Sequence, residues 1–319
     1  MIGLTMRILV IEDIAPEGIS LLKQNGIEIV RPRSSDEHGL SQAVVGCQGI
    51  LVRGVSGYVS DAVLAAEPGI KIVARHGVGL DAIDVEACRR RGVRVTNTPT
   101  ANILPVAEHT VAMITAVTKN LRNCDIEARL GNFASRRTHY GLELDGKTLG
   151  VIGLGRIGQL VAGKMRHAFG MRVLGYDAFL PTDVSVEGVK RCAMQRVLRD
   201  ADIVTLHVPL TPDTRHMISE PEFAGMKQGA YLVNCARGGV VDETALLGAL
   251  TQGHLRGAAL DVFSEEPLST DNPLTRLDSV ILTPHIAAHS DESNVRMAVE
   301  AAQGVVDVFA GREPVWGVV

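Results

Sequence analysis

Several things are scarce in this chain, and each scarcity removes a class of function. No stretch approaches the ~20 consecutive apolar residues that a membrane-crossing helix needs, so no membrane span is expected. There is no basic excess: 32 Lys and Arg stand against 36 Asp and Glu, for a net charge of −4. With a pI near 6.2, that balance gives no global reason to expect nucleic acid or an anionic membrane surface as a partner. Five cysteines (Cys47, Cys88, Cys124, Cys192 and Cys235) are scattered, odd in number and never spaced as Cys-x-x-Cys. They read as reduced thiols without a metal cage, and the expected location is the cytoplasm. The first residues, Met1 to Asp13, have no basic region and soon turn acidic, so they do not read as a leader. Internal repeats, low-complexity tracts and flexible linkers are also missing.

What is present is most informative between residues 148 and 177. An apolar run, Leu149–Ile152, leads into Gly153, Gly155 and Gly158, spaced G-x-G-x-x-G. An amphipathic stretch follows, then a second apolar run, Val173–Tyr176, which ends on Asp177. Each part has a physical task in holding a dinucleotide. Gly153 permits the tight turn, Gly155 lets backbone approach a pyrophosphate, and Gly158 lets the helix pack on the strand. The helix start, with Arg156 and Ile157, offers unshared N–H groups and a positive dipole end. Asp177, 19 residues past the third glycine, can accept hydrogen bonds from ribose hydroxyls. A chain with 33 glycines will make chance matches; the strand before, the helix after and the acid decide for a dinucleotide. Residues 178–182 carry no Arg or Lys to neutralise a 2′-phosphate, which favours NAD over NADP.

Length suggests about two domains at ~150 residues each, and 46% apolar content suffices for buried cores. Short β-branched runs alternate with helical patterns throughout, which predicts an α/β protein with parallel sheets. Before residue 100 the candidate strands are Arg7–Ile11, Ile27–Val30, Gly49–Val52, Ile70–Ala74 and Arg94–Thr96, with helical stretches such as Pro16–Gln24 and Val85–Arg91 between them. Five such units complete a small doubly wound sheet of the flavodoxin-like kind. A long apolar helix pattern then runs from Ile103 to Leu130 and leads to a loop around Arg136–Gly146. Beyond the glycine motif, strands are expected at Ile203–Val208, Tyr231–Asn234, Ala258–Val262 and Val280–Leu282, and a helix at Asp291–Phe309. The economical layout is a Rossmann dinucleotide-binding domain, residues 100–285, inserted into a substrate domain of residues 1–99 plus 286–319. The crossings at Asn97–Ala101 and His285–Ser290 would form a hinge that closes to exclude water, with the ligand in the cleft.

Three titratable or charged residues follow strands in the cofactor half: Arg237, Glu266 and His285. Carboxyl ends of strands in an open α/β sheet are where ligands bind. Taken singly, each residue reads as an ion pair, a turn or a loop. Together, downstream of a dinucleotide fingerprint, they supply what hydride transfer to a 2-oxo acid requires. A guanidinium fixes the acid group in bidentate geometry. A histidine donates the proton that turns a carbonyl into an alcohol. A carboxylate on that histidine orients the ring and favours its protonated form.

At this point the sequence resembles the D-isomer-specific 2-hydroxyacid dehydrogenase family, which includes phosphoglycerate, glycerate/hydroxypyruvate and D-lactate dehydrogenases. The matching segments are Gly-Val-Gly-Leu-Asp at 77–81, Asn-Thr-Pro-Thr-Ala-Asn at 97–102, Ala-Glu-His-Thr at 107–110 and the glycine motif at 149–158. Others are His-Val-Pro-Leu-Thr at 207–211 with Thr214, Asn-Cys-Ala-Arg-Gly at 234–238, Asp-Val-Phe-Ser-Glu-Glu-Pro at 261–267 and Thr-Pro-His at 283–285. The resemblance implies Arg237 as substrate anchor, His285 as acid/base and Glu266, which directly precedes Pro267, as its partner. It implies that the N–H groups of Val78 and Gly79 bind the substrate carboxylate, and that Arg53 faces the pocket. For NAD it implies contacts from His207, Val208, Pro209 and Thr214, with Val208 and Pro209 beside the adenosine half. Cys235, Ala236, Asp261 and Ala287 would lie near the nicotinamide, Cys235 through its backbone and not as a reactive thiol.

The run Ala287-Ala288-His289-Ser290 departs from the family, which often has Gly after Pro-His-Ile, and Pro105 stands where many relatives have Ser. His76 and His289, with Arg53, are therefore candidate extra cations. They point to a substrate with a second anionic group, of the 3-phosphoglycerate or hydroxypyruvate/glycerate type. A formate-oxidising relative would carry Gln at 266; a phosphite-type dehydrogenase or a non-catalytic NAD-sensing corepressor would retain all three residues. The resemblance further implies a homodimer through residues 103–146.

Overall fold

Parallel sheets covered by helices on both sides require strands that are apolar on both faces, and the central strands meet that condition. The computed structural model describes residues 5–54, 57–181 and 183–319. The first four residues, read above for a leader, and Thr182, read above with the 178–182 segment, lie outside the described residues. The chain divides into two compact units, Met1–Ile103 with His289–Val319, and Leu104–Ala288.

In the first unit the order is β1 (Arg7–Val10), α1 (Pro16–Gln24), β2 (Glu28–Val30), α2 (Glu37–Ala43), β3 (Gly49–Val52), α3 (Asp61–Ala66), β4 (Ile72–Arg75), α4 (Val85–Arg91) and β5 (Arg94–Thr96). The strands lie in the order β2-β1-β3-β4-β5, the flavodoxin-like order, and every pairing is parallel. Local chemistry starts the helices: the side chains of Asp36, Ser60 and Asp84 accept from the N–H groups of Gly39, Val63 and Ala87.

The second unit runs α5 (Ile103–Thr118), α6 (Leu121–Arg129), β6 (Thr148–Ile152), α7 (Arg156–Phe169), β7 (Arg172–Tyr176), β8 (Val189–Arg191), α8 (Met194–Asp200), β9 (Ile203–Leu206), α9 (Glu220–Gly225), β10 (Ala230–Asn234), α10 (Glu243–Thr251), β11 (Leu255–Leu260) and β12 (Val280–Leu282). Its seven parallel strands take the order β12-β11-β10-β9-β6-β7-β8, which is the Rossmann order with one strand added. The order reverses between β6 and β9, and such a reversal opens a ligand crevice at the carboxyl ends of the strands. Helix α11 (Asp291–Phe309) returns to the first unit, where Ala301, Ala302, Val305 and Val306 pack with Ile8, Leu51 and Ile72.

Three features depart from the expectations. The helix expected over Ile103–Leu130 is broken: Asn120 adopts a left-handed conformation (φ 55°) between α5 and α6, which asparagine tolerates better than most residues. The last-turn carbonyl of Thr118 accepts instead from Leu142 N–H at 2.7 Å. Edge strand β8 was not foreseen, because its Val-Lys-Arg is only partly buried. Strand β11 begins at Leu255, earlier than expected, and carries a bulge: Ala230 pairs with Leu255 but Tyr231 with Gly257. The unpaired Arg256 lays its guanidinium over the Tyr231 ring, 5.9 Å from the centroid.

Candidate active site

The register of the second sheet sets the geometry. Tyr176, Ile152, Leu206, Asn234, Leu260 and Leu282 pair in succession across β7, β6, β9, β10, β11 and β12. They form one level row at the carboxyl ends. The next residue on each strand is Asp177, Gly153, His207, Cys235, Asp261 and Thr283. Nearly every cofactor and catalytic residue expected from the sequence in this unit therefore leaves the sheet from one edge.

At the β6 exit, Gly153 has φ +95°, and a Cβ there would stand 2.4 Å from the His207 carbonyl oxygen. A Cβ on Gly158 would lie 2.0 Å from the Gly153 carbonyl oxygen, so α7 approaches the turn closely only as glycine. Gly155 differs: nothing lies within 4 Å of its Cβ position, which leaves open space beside the helix start. Gly155 caps α7 without a side chain, so the first N–H groups, including those of Arg156 and Ile157, stay available to an anion. This cradle fits a dinucleotide pyrophosphate.

Asp177 accepts from Leu154 N–H at 2.7 Å and from the Phe179 and Leu180 N–H groups at 2.9 Å. Three of a carboxylate's roughly four acceptor positions are thus used, leaving capacity for one ribose hydroxyl rather than two. Sequence reasoning overlooked Arg191 on β8. Its terminal nitrogens donate to the carbonyls of Leu180, Pro181 and Val184, each at 2.6 Å. This nearby cation is engaged with the loop after Asp177, in keeping with an NAD site. At the β9 exit, burial pushes the His207 imidazole down to about 4, and its Nε2 lies 3.1 Å from Thr205 Oγ1. Thr214 donates to the Pro209 carbonyl at 2.6 Å and accepts from Thr211 N–H at 2.8 Å, closing the turn that carries Val208 and Pro209.

Arg237 is presented by a turn that Asn234 clips. The buried Asn234 amide accepts from Ala236 N–H at 3.0 Å and donates to the Arg237 carbonyl at 2.9 Å. Gly238 then passes so near Phe263 that a Cβ would sit 1.9 Å from its carbonyl carbon. Burial pushes the Cys235 thiol up to about 12, so it stays protonated and unreactive.

Glu266 and His285 meet. The Nδ1–H of His285 donates to Glu266 Oε2 at 2.7 Å, while Glu266 Oε1 accepts from Phe263 N–H at 3.0 Å. Burial opposes the charge on Glu266, but the His285 and Phe263 hydrogen bonds and the charges of His285 and Arg237 outweigh it. The carboxyl lies below its ordinary value. His285 has φ 53°, and with Nδ1 committed, Nε2 is the atom left to exchange a proton. Asp261 is fully buried and accepts from the Thr283 hydroxyl and from the N–H groups of Ile286 and Ala287.

In the first unit, the loop after β4 has its carbonyls turned away and pinned. Thr98 N–H donates to Gly77 O at 2.9 Å, Asn97 Nδ2 to Val78 O at 2.9 Å and Arg75 Nε to Gly79 O at 2.7 Å. No described residue accepts from the N–H of Val78 or Gly79, which is the arrangement of an anion nest. Arg75, which sequence reasoning missed, also donates to the carbonyls of His76, at 2.6 Å, and Arg53. The expectation of an extra cation at His76 needs correction. Burial and the neighbouring Arg53 and Arg75 charges push the His76 imidazole down to about 4, so it is neutral at pH 7. His289 Nε2 lies 3.4 Å from an Arg53 terminal nitrogen. Arg53 is a cation beside it. Among the described residues no cluster of His, Cys, Asp and Glu is placed to hold a metal ion, and no helix is long and apolar enough to cross a membrane.

Comparison with known proteins gives a consistent set of relatives. Residues 111–287 match the model of the D-isomer specific 2-hydroxyacid dehydrogenase, NAD binding domain. D-3-phosphoglycerate dehydrogenase of Archaeoglobus fulgidus is 39% identical over 307 residues, covering 96% of this chain and 58% of that protein. The Methanocaldococcus jannaschii D-3-phosphoglycerate dehydrogenase is 41% identical over 309 residues, again with 96% and 58% coverage. The chain thus spans little more than half the length of these relatives. Among solved structures, the TT0316 protein of Thermus thermophilus superposes with a TM-score of 0.92 at 37% identity, covering 98% of this chain and all of that one. D-Lactate dehydrogenase of Aquifex aeolicus, complexed with NAD and lactic acid, gives 0.83 at 34% identity, covering 95% and 96%.

Proposed function

The chain belongs to the D-isomer specific 2-hydroxyacid dehydrogenase family, and from that premise we propose that it interconverts a 2-oxo acid and a D-2-hydroxy acid with NAD. The observation that carries the reading is the 2.7 Å bond from His285 Nδ1 to Glu266, on the same sheet edge as the glycine cradle. Bound NADH would supply the hydride to C2. His285 Nε2 gives its proton to the substrate oxygen, and the ionised Glu266 holds the ring and balances its charge. Arg237 anchors the acid group and polarises the carbonyl, while the N–H groups of Val78 and Gly79 bind the carboxylate. In the cradle, Gly153, Gly155, Gly158 and the start of α7 take the pyrophosphate and Asp177 a ribose hydroxyl. Backbone around Val208, Pro209, Cys235 and Ala236 lines the rest, with Asp261 and Ala287.

Arg53 suits a second anionic group on the substrate, and the relatives named D-3-phosphoglycerate dehydrogenase agree with a phosphorylated acid. On α6 and the segment after it, Leu121, Ile126, Leu130, Phe133 and Tyr140 are exposed; such an apolar face suits a homodimer through residues 103–146, which light scattering would test. All five cysteines are free, as in a reducing cytoplasm.

The deciding experiment follows NADH absorbance with pyruvate, hydroxypyruvate, oxaloacetate and phosphohydroxypyruvate, and NAD reduction with phosphite. Turnover highest with an acid bearing a second anion is expected. Turnover with phosphite alone, or NAD binding with no turnover at all, would overturn the reading in favour of a phosphite-type enzyme or a corepressor.

A further inference from the structure

His109 lies on α5 and not on any of the strands of the row, and the dehydrogenase reading gives it no part. Its Nε2 stands 3.2 Å from Thr283 Oγ1 and 3.5 Å from Asp261 Oδ1. The Thr283 hydroxyl donates its proton to Asp261 Oδ1 at 2.6 Å. A hydroxyl has one proton, so Thr283 Oγ1 must accept from His109. The proton inventory therefore places a hydrogen on His109 Nε2 and fixes the direction of the Thr283 hydroxyl toward Asp261.

Asp261 in turn organises the segment that presents the acid/base histidine. Its backbone carbonyl accepts from His285 N–H at 2.8 Å. Its carboxylate accepts from the N–H groups of Ile286 and Ala287, each at 2.9 Å. The turn 283–287 is wrapped around one buried carboxylate, with His285 at φ 53° in its middle. A non-glycine residue keeps such a conformation only where its surroundings over-determine it.

We propose that His109 is a positioning residue: through Thr283 and Asp261 it holds the 283–287 turn in the conformation that presents His285 to Glu266. The inference rests on the dehydrogenase reading for its consequence in turnover, but not for its consequence in the turn itself.

The test compares His109→Phe, which keeps a planar ring without a donor, with His109→Gln, whose amide donates at similar reach. With the substrate found in the panel, H109F should lower kcat about 10-fold or more, the scale of a slightly misplaced catalytic group. KM for NADH should stay within about threefold, since the glycine cradle, Asp177 and the Val208–Pro209 turn lie outside the loosened segment. Hydrogen–deuterium exchange across residues 283–287 should quicken in H109F, and H109Q should recover most of both losses. Thr283→Val should reproduce the H109F effects, and the double variant should be no worse than either single one. If H109F fails to fold, T283V and H109Q carry the comparison. Wild-type kcat and exchange in H109F, or H109Q as impaired as H109F, would overturn the proposal. Absence of wild-type turnover on every acid would sink the dehydrogenase reading instead, while the exchange result would still decide the role of His109.

Discussion

The two parallel sheets use the ends of their strands differently. In the second unit, the proposed chemistry falls to side chains that leave a level row, with Asp177, Arg237, Asp261, Glu266 and His285 each supplied by a strand exit. In the first unit, the loop after β4 offers main chain: three carbonyls are pinned by Thr98, Asn97 and Arg75, and the N–H groups of Val78 and Gly79 are what remains. A site made of side chains fails when the acting residue changes. A site made of backbone should tolerate that change and fail when its fastenings do.

The largest expected effect breaks the side-chain case. His285→Ala should lower turnover by ~10²–10⁴-fold, the usual worth of a general acid, while fluorescence titration shows NADH binding retained. Unchanged turnover would remove His285 from the mechanism. The backbone case is sharper in Arg75, which is proposed to touch no substrate. Arg75→Met removes charged hydrogen bonds worth ~1.5–3 kcal/mol each, and KM for the 2-oxo acid should rise by as much as ~10²-fold with NADH affinity kept. Val78→Ala, which replaces an exposed side chain at the nest itself, should shift KM by less than about twofold. If V78A proves the worse of the two, the backbone account is wrong.

A third test concerns the same loop and uses pH. His76 is 4% exposed and held at about 4, against an ordinary value near 6.5. The unfolded chain therefore takes up a proton at pH 6.5 and below that the folded one refuses. This contribution to stability is complete above pH 6.5 and is lost progressively as pH falls toward 4. It amounts to ~2 kcal/mol of lost stability at pH 5. Urea melts of His76→Gln should show a shallower decline between pH 6.5 and 4.5 than the parent, and an equal slope would discount the buried neutral ring. Glu266, whose carboxyl is depressed, adds its own loss only below the ordinary glutamate range near 4.3.

Most strands were legible because interior parallel strands are continuous apolar runs, and β3, with all four residues buried, could hardly be read otherwise. Strand β8 was not, since an edge strand of Val-Lys-Arg lacks that signal. The α5–α6 break was hidden because an asparagine in a helical pattern gives little warning of a left-handed residue. Gly153, Arg237, Glu266 and His285 stood out because each follows a strand in a pattern that suits its chemistry. Asn234, Arg75, Arg191 and His109 did not, because their partners are carbonyls, an amide and a hydroxyl whose orientation only the folded chain sets. The charge of His76 was misjudged for the same reason: burial, not residue type, sets it.

The bulge at Arg256 lies at the amino end of β11, and the surplus residue is absorbed there. Removing it would touch none of the reacting groups. Without it Leu255 would still face Ala230 and Gly257 would still face Tyr231, a regular ladder that delivers Asp261 to the same place, whereas one residue inserted between Gly257 and Leu260 would turn Asp261 through the opposite face of the sheet. A change of length is absorbed at the quiet end of this strand and disarms only near the busy one.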